Sequence, residues 1–347
     1  MDLRTLIAYE PSLKPFDDHF GSDFDTLTTA DVAQARALFF IKDQKYLTRW
    51  QAQSDHEHWR SCGAILSESL ATKIDLQLFS GKVLLVATVS NVDLAISNLS
   101  YPFYQKKMQG VNLFRDGRAS GTAEVAASAM IADRVFIGEH SFIGENVAIM
   151  AGAMIGPYVR IEDNSMIASN VSIYPWVKIA KGCRIHSGTV IGADGFGYNF
   201  DGREHRKVWH MGGVEIASGV EIGANSAVDA GAFAPTTIGS GTKIDNHVQI
   251  GHNCKIGKGV IICGQAGISG SAVIGDYTVF GGRAGCGPNV VIGSQCQVAG
   301  GAMINCDWPD KSVLGGHPAR PLSEWMRGLA FIRRESLKGE KQKNEAS

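Results

Sequence analysis

His252 is a residue whose type and position could do chemistry, although by itself it equally reads as a solvated turn histidine. It stands two positions after the apolar Ile250, in the run Ile250-Gly-His-Asn253, which reads as a turn outside a packed core. An imidazole is partly neutral near pH 7, so it can take a proton from a substrate and return it, worth roughly 10²–10⁴-fold in rate. Asp245 and Asn246 come shortly before it and are expected to orient the ring or to hold a ligand, together with Gln249. The same histidine allows a second chemistry. His247 precedes His252 by five residues and His210 lies upstream, and three imidazoles with a water make a competent zinc site.

These residues sit inside a repeat that must position them. From Ile131, every sixth residue is Ile up to Ile191. Two positions before each, from Val135 to Thr189, stands Val, Ser, Ala, Cys or Thr. A period of six fits neither a helix nor a simple half-buried strand. It fits a short flat strand followed by a corner, three units making one triangular coil, with Ile pointing inward and the small residue lining the bend. The run breaks at Asp194–Gly212 and resumes at Ile216, Ile222 and Val228. It slips by four residues near Ala232–Pro235, then continues from Ile238 to Ile304. About nine coils at ordinary strand spacing give a prism on the order of 40 Å long. A solenoid does not need such interruptions, so they are expected to carry function or subunit contacts.

Residues 1–108 lack the hexads and mix helical and strand periodicity, which predicts a small α/β domain with Val83–Ala87 as a buried strand. Residues 109–317 form the repeat domain, with 105–123 as a linker or irregular first coil. Residues 318–347 form a C-terminal helix and basic tail. In it Leu322, Trp325, Met326 and Leu329 follow helical spacing, and a helix starting near Pro321 is expected to cap the last coil. The surplus of Arg327, Arg333, Arg334, Lys338, Lys341 and Lys343 over Glu335, Glu340 and Glu345 leaves a solvated end or a surface for an acidic partner.

A net charge of −1 and the lack of an aromatic-basic stripe argue against a nucleic-acid partner. No long apolar run predicts a membrane span, and no basic-then-apolar N-terminus predicts a signal peptide. Seven cysteines occur singly without a CxxC pair, which fits reduced packing thiols in a cytoplasmic protein. Many of the 41 glycines follow a repeat Ile, where they serve a turn.

The hexads resemble those of the left-handed parallel β-helix acyltransferases, and the expected handedness comes from that likeness. The resemblance implies a mainly β fold, an N-terminal α/β domain, a C-terminal helix and a homotrimer with sites in clefts between prisms. Two segments narrow it: Ile185-His-Ser-Gly-Thr-Val-Ile-Gly-Ala-Asp-Gly-Phe-Gly-Tyr198 and Ile244-Asp-Asn-His-Val-Gln-Ile-Gly-His-Asn253. Both resemble the UDP-3-O-acylglucosamine N-acyltransferases of lipid A (lipopolysaccharide) assembly. The resemblance implies transfer from an acyl carrier protein to the 2-amine of a UDP-amino sugar, with no cofactor and no metal. It makes His252 the general base and Asp245 its candidate partner. The Gly270 N–H, one coil later, becomes the oxyanion donor. Asp194, Phe196 and Tyr198 would meet the amino sugar and the carrier arm. Phe39-Phe-Ile-Lys-Asp-Gln-Lys-Tyr46 resembles the family's uridine-binding segment, so Phe40 and Tyr46 would stack the base, Asp43 would face it, and Lys45 would meet the diphosphate.

Three departures bear on these expectations. Asp43 stands where the family usually has Asn, and a carboxylate only accepts. Asp229-Ala230-Gly231 replaces Asp-Arg-Gly, and a second His found in the family falls here near Pro288-Asn289. Two other readings follow: a trimeric scaffold that has lost substrate recognition, and a zinc enzyme similar to the γ-class carbonic anhydrases using His210, His247 and His252.

Overall fold

The structure is a computed structural model and describes residues 1–16, 22–316, 319 and 321–345. Pro318, at the expected domain boundary, lies outside the described residues, as do the side chains of Lys338, Glu340, Lys341, Lys343 and Glu345.

From Glu124 to Leu314 the hexads wind into a three-sided prism. Each contributes a short strand, and strands eighteen residues apart pair in parallel, so that Ile131, Ile149, Ile167 and Ile185 stand in one column. Face 1 has ten strands, from Met130–Ile131 to Val313–Leu314. Face 2 has nine, from Phe136–Ile137 to Met303–Ile304, and face 3 has nine, from Glu124–Val125 to Val291–Ile292. Every ladder position from Ile137 to Ile304 is buried, in one continuous core. Each such side chain contributes about 1.5–3 kcal/mol on burial.

The small residues do more than fit the bend. The Ser141 hydroxyl donates to the Gly156 carbonyl at 2.8 Å and accepts the Val159 N–H at 3.1 Å. Ser165, Thr242 and Thr278 repeat that pattern, tying each corner to the coil above. The next-to-last corner residue is left-handed, with φ from 54° to 62° at Asn146, Asn164, Asn253, Asn289 and their non-glycine equivalents. Asparagine tolerates that region better than most residues.

The N-terminal domain is a five-stranded sheet in the order Lys14–Pro15, Leu85–Val89, Gly63–Ser67, Ala37–Ile41, Thr26–Leu27, antiparallel only at its first pair. The expected strand at Val83–Ala87 forms two residues later, because the N–H groups of Lys82 and Val83 turn back to the Phe79 carbonyl. The long helix Val92–Met108 runs further into the expected linker than its composition suggests.

Both interruptions of the repeat fall on the edge where face 2 passes to face 3. The insertion leaves the strand Val190–Asp194 and re-enters at Val214–Ile216, and the slip lies between Ala227–Ala230 and Thr236–Ile238. The insertion forms a hairpin of Tyr198–Phe200 and His205–Lys207. It binds the long helix through Asn199 Nδ2 to the Asp93 carbonyl (2.7 Å) and through the Trp209 N–H to Ser100 Oγ (3.1 Å). Trp209 packs against Tyr101 and Tyr104, and the Lys107 ammonium sits 4.3 Å over the Trp176 ring.

The C-terminal helix spans Leu322–Glu345. Contrary to the expectation that it caps the last coil, it leaves its apolar stripe uncovered. Leu322, Met326 and Leu329 are exposed, and Trp325 keeps 39% of its surface. Among the described residues, no helix is long and apolar enough to cross a membrane.

Candidate functional site

The face 2–3 edge places His252 beside the insertion. Its turn, Gly251-His-Asn253, joins the strands Gln249–Ile250 and Lys255–Ile256, and the 194–198 segment folds down onto it. Close approach explains the glycines of that segment. A Cβ on Gly195 would lie 2.5 Å from the His252 Cβ, and one on Gly197 would lie 2.9 Å from His210 Cε1. One coil later Gly270 sits equally close, since a Cβ there would lie 2.7 Å from His252 Nε2.

Hydrogen bonding fixes the tautomer of His252. Asn253 Nδ2 donates to the Ala234 carbonyl at 3.1 Å, and its Oδ1 accepts the Ala232 N–H at 3.0 Å. The amide oxygen therefore faces His252 Nδ1, 3.1 Å away, and that nitrogen must be the donor. The lone pair is left on Nε2, the atom facing Gly270. The Gly270 N–H has no acceptor among the described residues. A base and a residue with a free N–H donor are thus neighbours across one coil.

They open into a cavity of about 940 Å³ whose walls include Asp194, Phe196, Tyr198 and Gln249. Phe196 is 88% exposed and meets Tyr198 edge-on at 5.1 Å. Asp194 pairs with Lys207 at 2.5 Å. Asp229, on the same wall, accepts from Gln249 Nε2 at 2.9 Å, and burial raises its carboxyl above the usual range against that bond and the His252 ring. Gly267 and Gly285 line the cavity along face 2, with Met303 further along it.

A second cavity of about 380 Å³ lies between the N-terminal domain and the prism and shares Ser271 and Asn289 with the first. Phe40 and Tyr46 line it, as do Phe233, Lys42, Arg49 and the ion pair of Lys255 with Asp31 at 2.5 Å. Lys42 is paired with Asp93, which raises its ammonium above the usual range.

Several expected residues lie elsewhere. Asp245 and Asn246 belong to the edge between faces 1 and 2, and neither bonds to His252. The Asp245 carboxylate accepts the N–H groups of Asn246 (2.7 Å) and Gly264 (2.9 Å), while Asn246 Oδ1 accepts that of Ala224 (2.6 Å). Both are corner-building residues, and Asn253 holds the imidazole instead. Asp43 does not line the second cavity either. It caps the helix Gln44–Gln51, accepting from the N–H groups of Lys45 (2.9 Å) and Tyr46 (3.3 Å), and Lys45 is exposed away from that cavity. Lys42, Arg49 and Lys255 provide the cations there. His247 shares the Asp245 edge, so the three histidines of the zinc reading are not gathered, and no group of three His, Cys, Asp or Glu among the described residues is placed to hold a metal. His210 does reach His252, as an edge-on ring with centroids 5.4 Å apart. Asn253, Ser271, Lys42 and Arg49 were given no role by sequence reasoning, and Asp229 was noted only within the Asp229-Ala230-Gly231 departure. Only the spacing of Tyr46 and Arg49 along one helix face carried a signal.

Comparison with known proteins adds to this picture. A family model described as bacterial transferase hexapeptide (six repeats) matches residues 134–168, 158–193 and 235–270, leaving out the insertion and most of the slip. Among curated relatives, the UDP-3-O-acylglucosamine N-acyltransferase of Helicobacter hepaticus is 49% identical over 212 residues, 61% of this chain and 63% of that protein. The protein of the same name from Methylobacterium nodulans is 43% identical over 149 residues, covering 43% of this chain and 42% of the relative. The matched stretches thus span about half of those relatives. Among solved structures, the UDP-N-acetylglucosamine acyltransferase from Campylobacter jejuni aligns with a TM-score of 0.42 at 23% identity, over 53% of this chain and 68% of that one. The chain is a left-handed parallel β-helix built of hexapeptide repeats, carrying an N-terminal α/β domain and a C-terminal helix.

Proposed function

We propose that the chain is an N-acyltransferase of lipid A biosynthesis, moving an acyl group from an acyl carrier protein to the 2-amine of a UDP-3-O-acyl-glucosamine. The observation that carries the reading is the His252 ring, locked by Asn253 with its Nε2 lone pair beside the unused Gly270 N–H in a large cleft. The named relatives support the substrate class. The amine nitrogen attacks the thioester carbon, His252 Nε2 takes the proton that the amine sheds, and the Gly270 N–H meets the oxyanion. Collapse breaks the carbon–sulfur bond, and the departing thiolate takes the proton back from His252. Amide and free carrier thiol result, with atoms and charge balanced.

Asp194, Phe196, Tyr198 and Gln249 would hold the sugar and the carrier arm. Phe40 and Tyr46 would hold the uracil in the neighbouring cavity, with Lys42, Arg49 and Lys255 toward the diphosphate. Shared walls between the two cavities suit one ligand that spans both. In this reading the active unit is a homotrimer, whose neighbouring prism closes the exposed side of the cleft at Phe196. The reaction runs in the cytoplasm and requires no metal or cofactor, since a proton acceptor and an oxyanion donor are enough.

The test is incubation of native chain and His252→Ala with a panel of acyl carriers and UDP-amino sugars. Transfer should fall by at least about 10²-fold in the variant, with the oligomer intact. A His252→Ala protein that acylates at the native rate would overturn the mechanism.

A further inference from the structure

His210 is more deeply buried than any other histidine among the described residues, keeping 4% of its surface, and the proposed reaction gives it no task. Its Nδ1 lies 3.0 Å from the Val208 carbonyl, which can only accept, so the proton sits on Nδ1 and the lone pair on Nε2. That Nε2 has no hydrogen-bond partner among the described residues. Leaving a buried polar atom unpaired is costly, and a leucine would fill the space without the cost. The ring is pinned by Val208, covered by Gly197 and edge-on to His252. It is therefore rigid, polar and in contact with the one group that gains positive charge during transfer.

We infer that His210 is a positioning residue for His252, holding that ring toward Gly270 and supplying a neutral, electron-rich neighbour when it becomes an imidazolium. The inference rests on His252 acting as the base. The neutral His210 ring, edge-on to His252 with centroids 5.4 Å apart, gains value only as charge develops on that neighbour, which is the form of stabilisation that speeds a reaction. His210 does not compete for the proton, because burial, and secondarily the neighbouring His252, push its ring down to about 4. Other charged groups near the pair are Asp194 with its Lys207 partner, Asp229 bonded to Gln249, and Arg283 bonded to Gln265.

The experiment compares native enzyme, His210→Leu and His210→Gln over a pH series, with His252→Ala as the control. Removing the lone pair should lower kcat by about ten- to a hundredfold and change KM for either substrate less than threefold. It should also move the acid-side midpoint of the kcat profile to lower pH, because a less stabilised imidazolium loses its proton more readily. Gln, which restores an acceptor oxygen, should recover part of both effects. The inference is overturned if a folded His210→Leu protein keeps the native midpoint, whatever its rate. It also falls if Gln and Leu behave alike in two folded proteins. His252→Ala keeping full activity would sink the parent reading instead, so the two failures are separable.

Discussion

Changing Asn253 to Asp tests the tautomer argument with almost no change in shape. The carboxylate still accepts from Ala232 N–H and from His252 Nδ1, but it can no longer donate to the Ala234 carbonyl. Losing that donor next to a carbonyl costs roughly 1–3 kcal/mol of stability. The larger effect is electrostatic, since a full negative charge now sits in hydrogen-bond contact with the base. For unit charges about 4 Å apart the attraction is about 1 kcal/mol in water and about 4 kcal/mol at an effective dielectric of 20. At 1.36 kcal/mol per pH unit, that is an upward displacement of about one to three units in the acid limb of kcat/KM. The sign follows from the chemistry. A carboxylate favours the imidazolium, and only the neutral ring can take the amine proton. The variant should be poor at pH 7 and recover as pH rises. The assay is initial-rate acyl transfer from pH 5.5 to 9.5, with a thermal melt at each pH. A folded Asn253→Asp protein whose profile lies on the native curve would mean that residue 253 does not hold Nδ1, and the assignment of Nε2 as the base atom would fail.

Two further outcomes follow from the same geometry. Gly270→Ala puts a methyl 2.7 Å from His252 Nε2, so kcat should fall by at least about 10²-fold with little change in melting temperature, read by steady-state kinetics and calorimetry. For Lys107, burial and then the nearby Lys178 hold the ammonium down to about 8, below its unfolded value. Its burial cost is therefore fully present below pH 8 and is relieved as pH climbs toward 10, so the native melting temperature should gain from that term over this window and Lys107→Met should flatten the gain.

The prism was legible because a six-residue period admits few structures, and its Ile and small residues mark inside and bend without tertiary information. The partner of His252 was misread for a reason the same period contains. Successive hexads turn to successive edges, so Asp245, seven residues before His252, cannot share its edge, whereas Asn253 can. Asn253 was hidden because it performs two tasks, sitting at the left-handed corner and holding the imidazole, and composition reports only the first. In the N-terminal domain, Asp43 was read as facing a base when its side chain is used in starting a helix. That helix then turns Tyr46 and Arg49 toward the cavity and Lys45 away from it. His210 and Asp229 reach the site through the inserted loop and through strand pairing across coils, neither of which spacing along the chain reveals.

The hairpin that clasps the long helix Val92–Met108 has a mechanical meaning for a stacked array. In such arrays each layer leans only on its neighbours, so the ends loosen first and the loss travels inward. Here a middle layer is riveted to an independent body through the very segment that covers His252. Thermal fraying that starts at either tip must therefore reach a fastened belt before it touches the chemistry, and the reactive layer is among the last to come undone.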